Sequence, residues 1–461
     1  MKQTLVRFPN GLRVVLSSRQ SNVVTISFSL CFGAEQETKD TKGATHFIER
    51  IMRAGLQKEI SNLGGVVDSK TDYEHFELTV STVRENLESA FNALIQTVFD
   101  FHPTFQTFES ERAAIIREIE NRKSNPLMLL RELTQKNRYK TTSLATEVYG
   151  TNKTISEMTL ERLRDYYNSI LSPSSIILSV VGNISDEEEG KEELEEDEQD
   201  TTSTDVIIEK SSAKLSMWNA VKDTVKPSKI PQKKYIIDSL DYIKELVTKQ
   251  FYSKTLLLDK KTKRRCTAYF PLKNKAVIQK PKKLNQTRFQ LSFPSAPYSS
   301  NGYKYSKLFE LYLRSYLRQS LAGTAGLYGV DLETSQFKNN AHLSITFAVD
   351  KDRAVEVYNK VLSLLKIAKD QQVSVAQLNS TKIAYQTLLS LGHEKMSELA
   401  TRYNKWIFLK DELFNLTNEI KLTRKMSHKN FSYICNAILN FDEMLTVIVG
   451  EKVDETKLLT L

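Results

Sequence analysis

The sequence of 461 residues predicts an α+β fold of two homologous halves, each a mostly antiparallel sheet covered on one face by helices. Three observations carry that expectation. Short runs of alternating apolar and polar residues are interleaved with long helical stripes, the patterning collapses near the middle, and one closing segment occurs twice.

The first half opens as β structure. Thr4 to Phe8 and Arg13 to Ser18 flank Pro9-Asn10-Gly11, residue types that favour a tight turn. Strict alternation follows, with Ile26, Phe28, Leu30 and Phe32 on one face and Thr25, Ser27, Ser29 and Cys31 on the other. A helix is expected around His46 to Gly55, and Phe76, Leu78 and Val80 alternate again. Leu87, Ala90, Phe91, Leu94, Ile95 and Val98 then keep helical spacing, helical patterns run on to about Tyr167, and Ile176 to Gly182 reads as a buried closing strand.

From Ser185 to about Pro231 the pattern gives way to acidic, then Thr/Ser-rich, then Lys/Pro-rich sequence. Asp186 to Asp200 holds eleven acidic residues and one lysine. Such a run cannot bury enough apolar area to offset chain entropy, so a solvated linker is expected there. The expected division is 1–184, a linker at 185–234, and 235–461.

The second half repeats the style of the first. Phe289, Leu291 and Phe293 alternate, a helix is expected from Tyr305 to Leu321, and Leu343, Ile345, Phe347 and Val349 alternate again. Met158 to Asn183 can be laid over Met426 to Glu451 without a gap, at an offset of 268. Met158/Met426, Asn168/Asn436, Ile170/Ile438, Leu171/Leu439, Val181/Val449 and Gly182/Gly450 then coincide. Identities at the end of each half argue for an internal duplication.

Composition narrows the function classes. The net charge is +9, yet the acidic run contributes −10, so the remainder carries +19. The lysines are scattered and no nucleic-acid module is recognisable, so no nucleic-acid partner is expected. No run of eighteen apolar residues exists, so no transmembrane segment is expected. Cys31, Cys266 and Cys435 are far apart and odd in number, which suits neither a disulfide framework nor a zinc-thiolate site.

The stretch with chemical content is Gly43-Ala44-Thr45-His46-Phe47-Ile48-Glu49-Arg50. On a helix, positions 46 and 50 share a face with 49 beside them, the geometry of the inverted zincin motif HxxEH. There two histidines hold zinc and the glutamate activates water. Here Arg50 takes the second histidine's place. Glu111 and Glu118 lie seven apart on one side of a later helix, which taken alone is a solvated edge.

Five ordered stretches resemble the insulinase and mitochondrial-processing-peptidase family. Phe8 to Val15 is similar to its LPNGLxV strand pair, Lys42 to Gly55 to its GxxHFLEHMxFxGT helix, and Leu63 to Thr71, with Glu74 and His75 after it, to its LGxxxNAxTxxE strand. Glu111 to Glu118 resembles the ERxxxxxE helix, and Ser172 to Asn183 resembles the strand that closes the first half. The resemblance implies that the two halves face each other as a clam-shell. It also implies His46 as first zinc ligand, Glu49 as general base, Glu118 as carboxylate ligand and Glu111 as support for it. Arg318 and Tyr328 lie near the segment with which active relatives hold the substrate carbonyl. His75 is either a substitute ligand or a partly buried strand histidine.

Arg50 departs from the pattern. A guanidinium cannot shed its proton to bind metal. Held about 4 Å from a divalent ion, it would repel it by roughly 8 kcal/mol at an effective dielectric of 20. The expectation is that Arg50 replaces the metal, pairing with Glu49 or Glu118, and that no zinc is bound. Altered motifs of this kind occur in the family's α-type processing-peptidase subunits and in the core proteins of respiratory complex III. The resemblance therefore implies a non-catalytic subunit of a processing-peptidase-like complex that binds extended presequence peptides beside a catalytic sibling with an intact HxxEH. It also implies a mitochondrial location. Two rivals are a divergent zinc endopeptidase acting through His46, Glu49 and Glu118, and a structural core subunit of complex III.

Overall fold

A computed structural model describes residues 3–140, 142–184, 240–258, 267–268, 276–371 and 373–458. The expected acidic linker lies outside them, as does Cys266. The first half contains strands β1 (Gln3–Arg7), β2 (Arg13–Ser18), β3 (Val23–Leu30), β4 (Val66–Thr71), β5 (Phe76–Val83) and β6 (Ile176–Gly182). They form one sheet in the order β1-β2-β6-β3-β5-β4, antiparallel except where β2 runs parallel to β6. Its helices are α1 (Ala44–Asn62), α2 (Leu87–Phe99), α3 (Phe105–Ser124), α4 (Pro126–Tyr139), α5 (Asn152–Ser156) and α6 (Leu160–Ile170).

After α7 (Leu240–Leu246) come β7 (Ala276–Pro281), β8 (Gln286–Pro294), β9 (Leu327–Gln336), β10 (Ala341–Asp350) and β11 (Leu445–Gly450). Their order, β7-β11-β8-β10-β9, reproduces β2-β6-β3-β5-β4, down to the parallel pairing of β7 with β11. The helices are α8 (Tyr303–Ser320), α9 (Ala354–Asp370), α10 (Val375–Glu394), α11 (Met396–Lys410), α12 (Leu416–Arg424) and α13 (His428–Ile438). The duplication reaches the helix caps. Thr104 and Ser374 cap α3 and α10, and Thr159 and Ser427 cap α6 and α13, each through its side-chain oxygen. Gly182 and Gly450 also correspond physically. A Cβ on either would come within 2.9 Å of backbone in the neighbouring strand, at Val24 and Thr287.

Each sheet buries one face under its own helices. Ile26, Phe28 and Leu30 meet Phe47, Phe91, Phe108 and Ile115, while Phe289, Leu291 and Phe293 meet Leu308, Leu313, Val361 and Phe431. The other face of each sheet is covered too, by a helix from the opposite half. Leu399, Ala400, Tyr403 and Ile407 of α11 pack on Val15, Ile177 and Val181, and Leu130 of α4 packs on Leu445, Val447 and Val449. The sequence reading expected helices on one face only. A second face rich in serine and threonine reads as solvent-facing, yet Ser27, Ser29 and Ser179 are buried.

Hydrogen bonds make that burial tolerable. Asn404 of α11 donates to the carbonyl and hydroxyl of Ser27 (both 3.0 Å) and to Ser29 Oγ (3.1 Å), and it accepts from Ser179 Oγ at 2.6 Å. In the reverse direction, Thr134 of α4 donates to Gln290 Oε1 at 2.7 Å. The exchange of helices clasps the two halves together. Residues 243–251 also join the first core through Ile243, Leu246, Val247 and Phe251, so the chain after the linker returns to the first half before building the second.

Candidate functional site

Helix α1 begins where the chain turns at Gly43, whose φ of +84° favours glycine. A Cβ there would meet Gly150 Cα at 2.8 Å. Gly43 has no side chain to cap the helix, and the Glu37 carboxylate substitutes by accepting from the backbone N–H of Gly43 (2.7 Å) and Thr45 (2.8 Å). Burial pushes the Glu37 carboxyl up to about 7. Phe47, Ile48, Ile51 and Leu56 anchor α1 in the core. That rotation turns His46, Glu49 and Arg50 toward α3 and β4.

The three motif residues and the two glutamates of α3 converge. His46 Nδ1 lies 3.1 Å from Glu49 Oε2, and His46 Nε2 lies 3.3 Å from Glu118 Oε2. Arg50 Nε donates to Glu111 Oε2 at 2.7 Å, and Arg50 Nη1 donates to Glu118 Oε2 at 3.1 Å. The expected pairing of Arg50 with Glu118 is present. The alternative with Glu49 is not formed, and the second carboxylate is Glu111. Glu49 is held instead from β4, where Ser69 Oγ donates to Oε1 and Thr71 Oγ1 donates to Oε2 at 3.2 Å. The Tyr149 ring packs edge-on against His46, 4.7 Å between centroids, and also lies under the Arg122 guanidinium.

Both His46 nitrogens face carboxylate oxygens, and with both carboxylates ionised the imidazolium satisfies both contacts, whereas a neutral ring would turn one lone pair toward an anion. Burial alone would lower the His46 pKa, and the hydrogen bonds to Glu118 and Glu49 outweigh it and raise it above 6.5. Burial would likewise raise Glu49, but the His46 hydrogen bond and charge carry it below the usual value. For Glu118 the His46 hydrogen bond leads, and Arg50 adds to the lowering against burial. The linkage has a definite sign. A raised folded pKa for His46 contributes stability that is fully present below pH 6.5 and is lost as pH rises through the folded value. Urea midpoints of the native chain and of His46→Gln should therefore draw together as pH rises above 6.5. A gap that stays constant would contradict the imidazolium.

Zinc requires deprotonated imidazole and uncommitted carboxylate. Here the imidazole nitrogens are committed to two carboxylates, and Glu118 already receives two cationic donors. The residues present do not fit the metal. Among the described residues, no group of three His, Cys, Asp or Glu side chains is placed to hold one.

The other candidates lie elsewhere. Arg318 donates to the Val330 carbonyl at 3.4 Å and sits 3.6 Å from Asp331, and the exposed Tyr328 donates to Asp350 at 2.7 Å. Both are thus engaged within the second half. His75 is buried beside Asp72, Nδ1 to Oδ1 3.1 Å, and lines a cavity between the halves. Sequence reasoning did not single out Ser69 and Thr71. Their signal was alternation: in β4 they share the face turned toward Glu49.

Residues 13–152 match the insulinase (peptidase family M16) pattern, and residues 157–385 match the peptidase M16 inactive domain. The chain belongs to peptidase family M16. It is 27% identical over 188 residues to an uncharacterized zinc protease, YmxG, of Bacillus subtilis, covering 38% of this chain and 46% of that protein. It is 23% identical over 181 residues to cytochrome b-c1 complex subunit 1 of Caenorhabditis elegans, covering 38% of each. It is also 23% identical over 184 residues to the mitochondrial-processing peptidase subunit beta of the same organism, covering 38% of this chain and 40% of that one. The chain thus spans less than half the length of these curated relatives. A crystal structure of a Helicobacter pylori protease superposes with a TM-score of 0.77 at 16% identity, covering 97% of this chain and 99% of that one. This M16 chain therefore has the family's two-domain clam-shell fold. Among its described residues, no helix is long and apolar enough to cross a membrane.

Proposed function

We propose that this M16 chain is a non-catalytic subunit that holds extended peptides and works beside a catalytic sibling with an intact HxxEH. The observation that supports it is the Arg50 guanidinium lying between Glu111 and Glu118, where a cation is supplied by the chain itself. Removing a metal from a cluster of carboxylates would otherwise leave uncompensated charge, so an arginine at this position keeps the fold while discarding the chemistry. The names of the processing-peptidase and b-c1 relatives favour a role within an assembly and a mitochondrial setting, and the bacterial relatives keep other locations open.

A basic presequence would call for an acidic cavity. The cavity between the halves that His75 lines is instead bordered by four acidic and four basic side chains, so the reading extends to extended peptides without a preference for basic ones. The divergent-peptidase reading through His46, Glu49 and Glu118 would require Arg50 to leave both glutamates. The test is purification of the native protein at physiological salt. A second chain of similar size carrying HxxEH should accompany it. A monomer or self-dimer without such a chain would overturn the subunit reading, and co-purification with haem proteins would favour the structural-core role.

A further inference from the structure

The cavity between the halves, about 510 Å³, lies behind β4 and β5 and is bounded on its far side by α11 and by Tyr298 and Tyr303 of the second half. That volume falls within the roughly 300–1,000 Å³ of small-molecule sites. Three of its eight charged lining side chains are already neutralised. Glu419 accepts from Lys304 at 2.9 Å, Glu398 pairs with Lys395 at 2.8 Å, and Lys307 pairs with Glu310 at 2.8 Å.

Glu77 and Lys405 are the buried and half-buried members that lack such a partner, and they face the cavity together. Glu77 is 7% exposed, and its Oε1 accepts from Ser27 Oγ (2.8 Å) and Ser29 Oγ (3.0 Å). Asn404 Nδ2 also reaches the same oxygen at 3.5 Å, and among the described residues no cation lies within ion-pair distance of Glu77. The half-buried Lys405 has its ammonium 5.2 Å from the centre of the Tyr298 ring and no carboxylate within ion-pair distance among the described residues. Tyr298 and the carboxylates of Asp72, Glu74 and Glu77 hold its pKa above the usual value against burial, so it remains charged. Two opposite charges thus line one cavity without closing on each other, which is costly unless something occupies the space between them. Beside them runs an aromatic wall, with Tyr298 and Tyr303 at 5.6 Å and Tyr303 and Trp406 at 5.9 Å between ring centroids.

We propose that this cavity binds a free α-amino acid with an aromatic side chain. Glu77 receives its ammonium, Lys405 donates to its carboxylate, and the wall of Tyr298, Tyr303 and Trp406 takes its ring. The site lies in the cavity that the subunit reading gives to peptides, but it needs neither a metal nor a second chain. The calorimetry reads only the small molecule and co-purification reads only the partner, so the two failures are distinguishable.

Titration calorimetry of the full chain with three compounds tests it. L-phenylalanine should bind saturably. Phenylalaninamide, which lacks the carboxylate, and N-acetylphenylalanine, which lacks the ammonium, should each bind at least about tenfold more weakly. In Glu77→Gln the penalty against N-acetylphenylalanine should disappear, and in Lys405→Met the penalty against the amide should disappear. No saturable binding of L-phenylalanine, or equal binding of all three compounds, would overturn the proposal and leave water as the bridge between Glu77 and Lys405. The three-compound comparison uses the unmodified chain, so it decides the matter even if a variant fails to fold.

Discussion

Asn404→Leu is expected to lower the stability of the folded chain by about 3 kcal/mol, read as a shift in urea midpoint at unchanged slope. The amide is 1% exposed and joins α11 to two strands of the opposite half, β3 and β6. Leucine would fill similar volume, but it would strand the hydroxyl of Ser179 and remove a donor from Ser27 and Ser29. Those hydroxyls also hold Glu77, so the loss would propagate to a buried carboxylate. Thr134→Val, its counterpart on α4, breaks one bond to Gln290 and should cost about 1 kcal/mol. A loss for Asn404→Leu no larger than that for Thr134→Val would show that the helix exchange is held by apolar packing alone.

Arg50→His is expected to give the chain a zinc site. The substitution removes the cation lying between Glu111 and Glu118 and places a second imidazole one turn after His46. His46 and Glu118 already converge, so two imidazoles of α1 and one carboxylate of α3 would meet there, and His46 would release its proton on binding the metal. Metal analysis after gel filtration should find about one zinc per chain in the variant. Arg50→Ala supplies no ligand and should bind none, so zinc in both variants alike would point to a site elsewhere.

The two sheets were legible in the sequence because period-two alternation survives in β3, β5, β8 and β10, and the duplication because six identities mark the last helix and strand of each half. The convergence of His46, Arg50, Glu111 and Glu118 was legible only through motif order, since nothing in spacing alone brings α3 against α1. Two things stayed hidden. One was the covering of each sheet's second face, because Thr25, Ser27 and Ser29 look like solvent residues until Asn404, some 375 positions away, satisfies two of them. The other was which glutamate Arg50 would take besides Glu118. Glu49 is its neighbour in sequence, but Ser69 and Thr71 had already engaged it from β4.

The central claim is that Arg50 occupies the place of the metal in this M16 chain. The most direct test is the zinc content of the unmodified, purified protein after dialysis against a mild chelator at neutral pH. No stoichiometric zinc is the result expected from an imidazolium at His46 and a guanidinium on Glu111 and Glu118. About one zinc retained per chain would contradict it, since the ion could be held there only if Arg50 had left both glutamates.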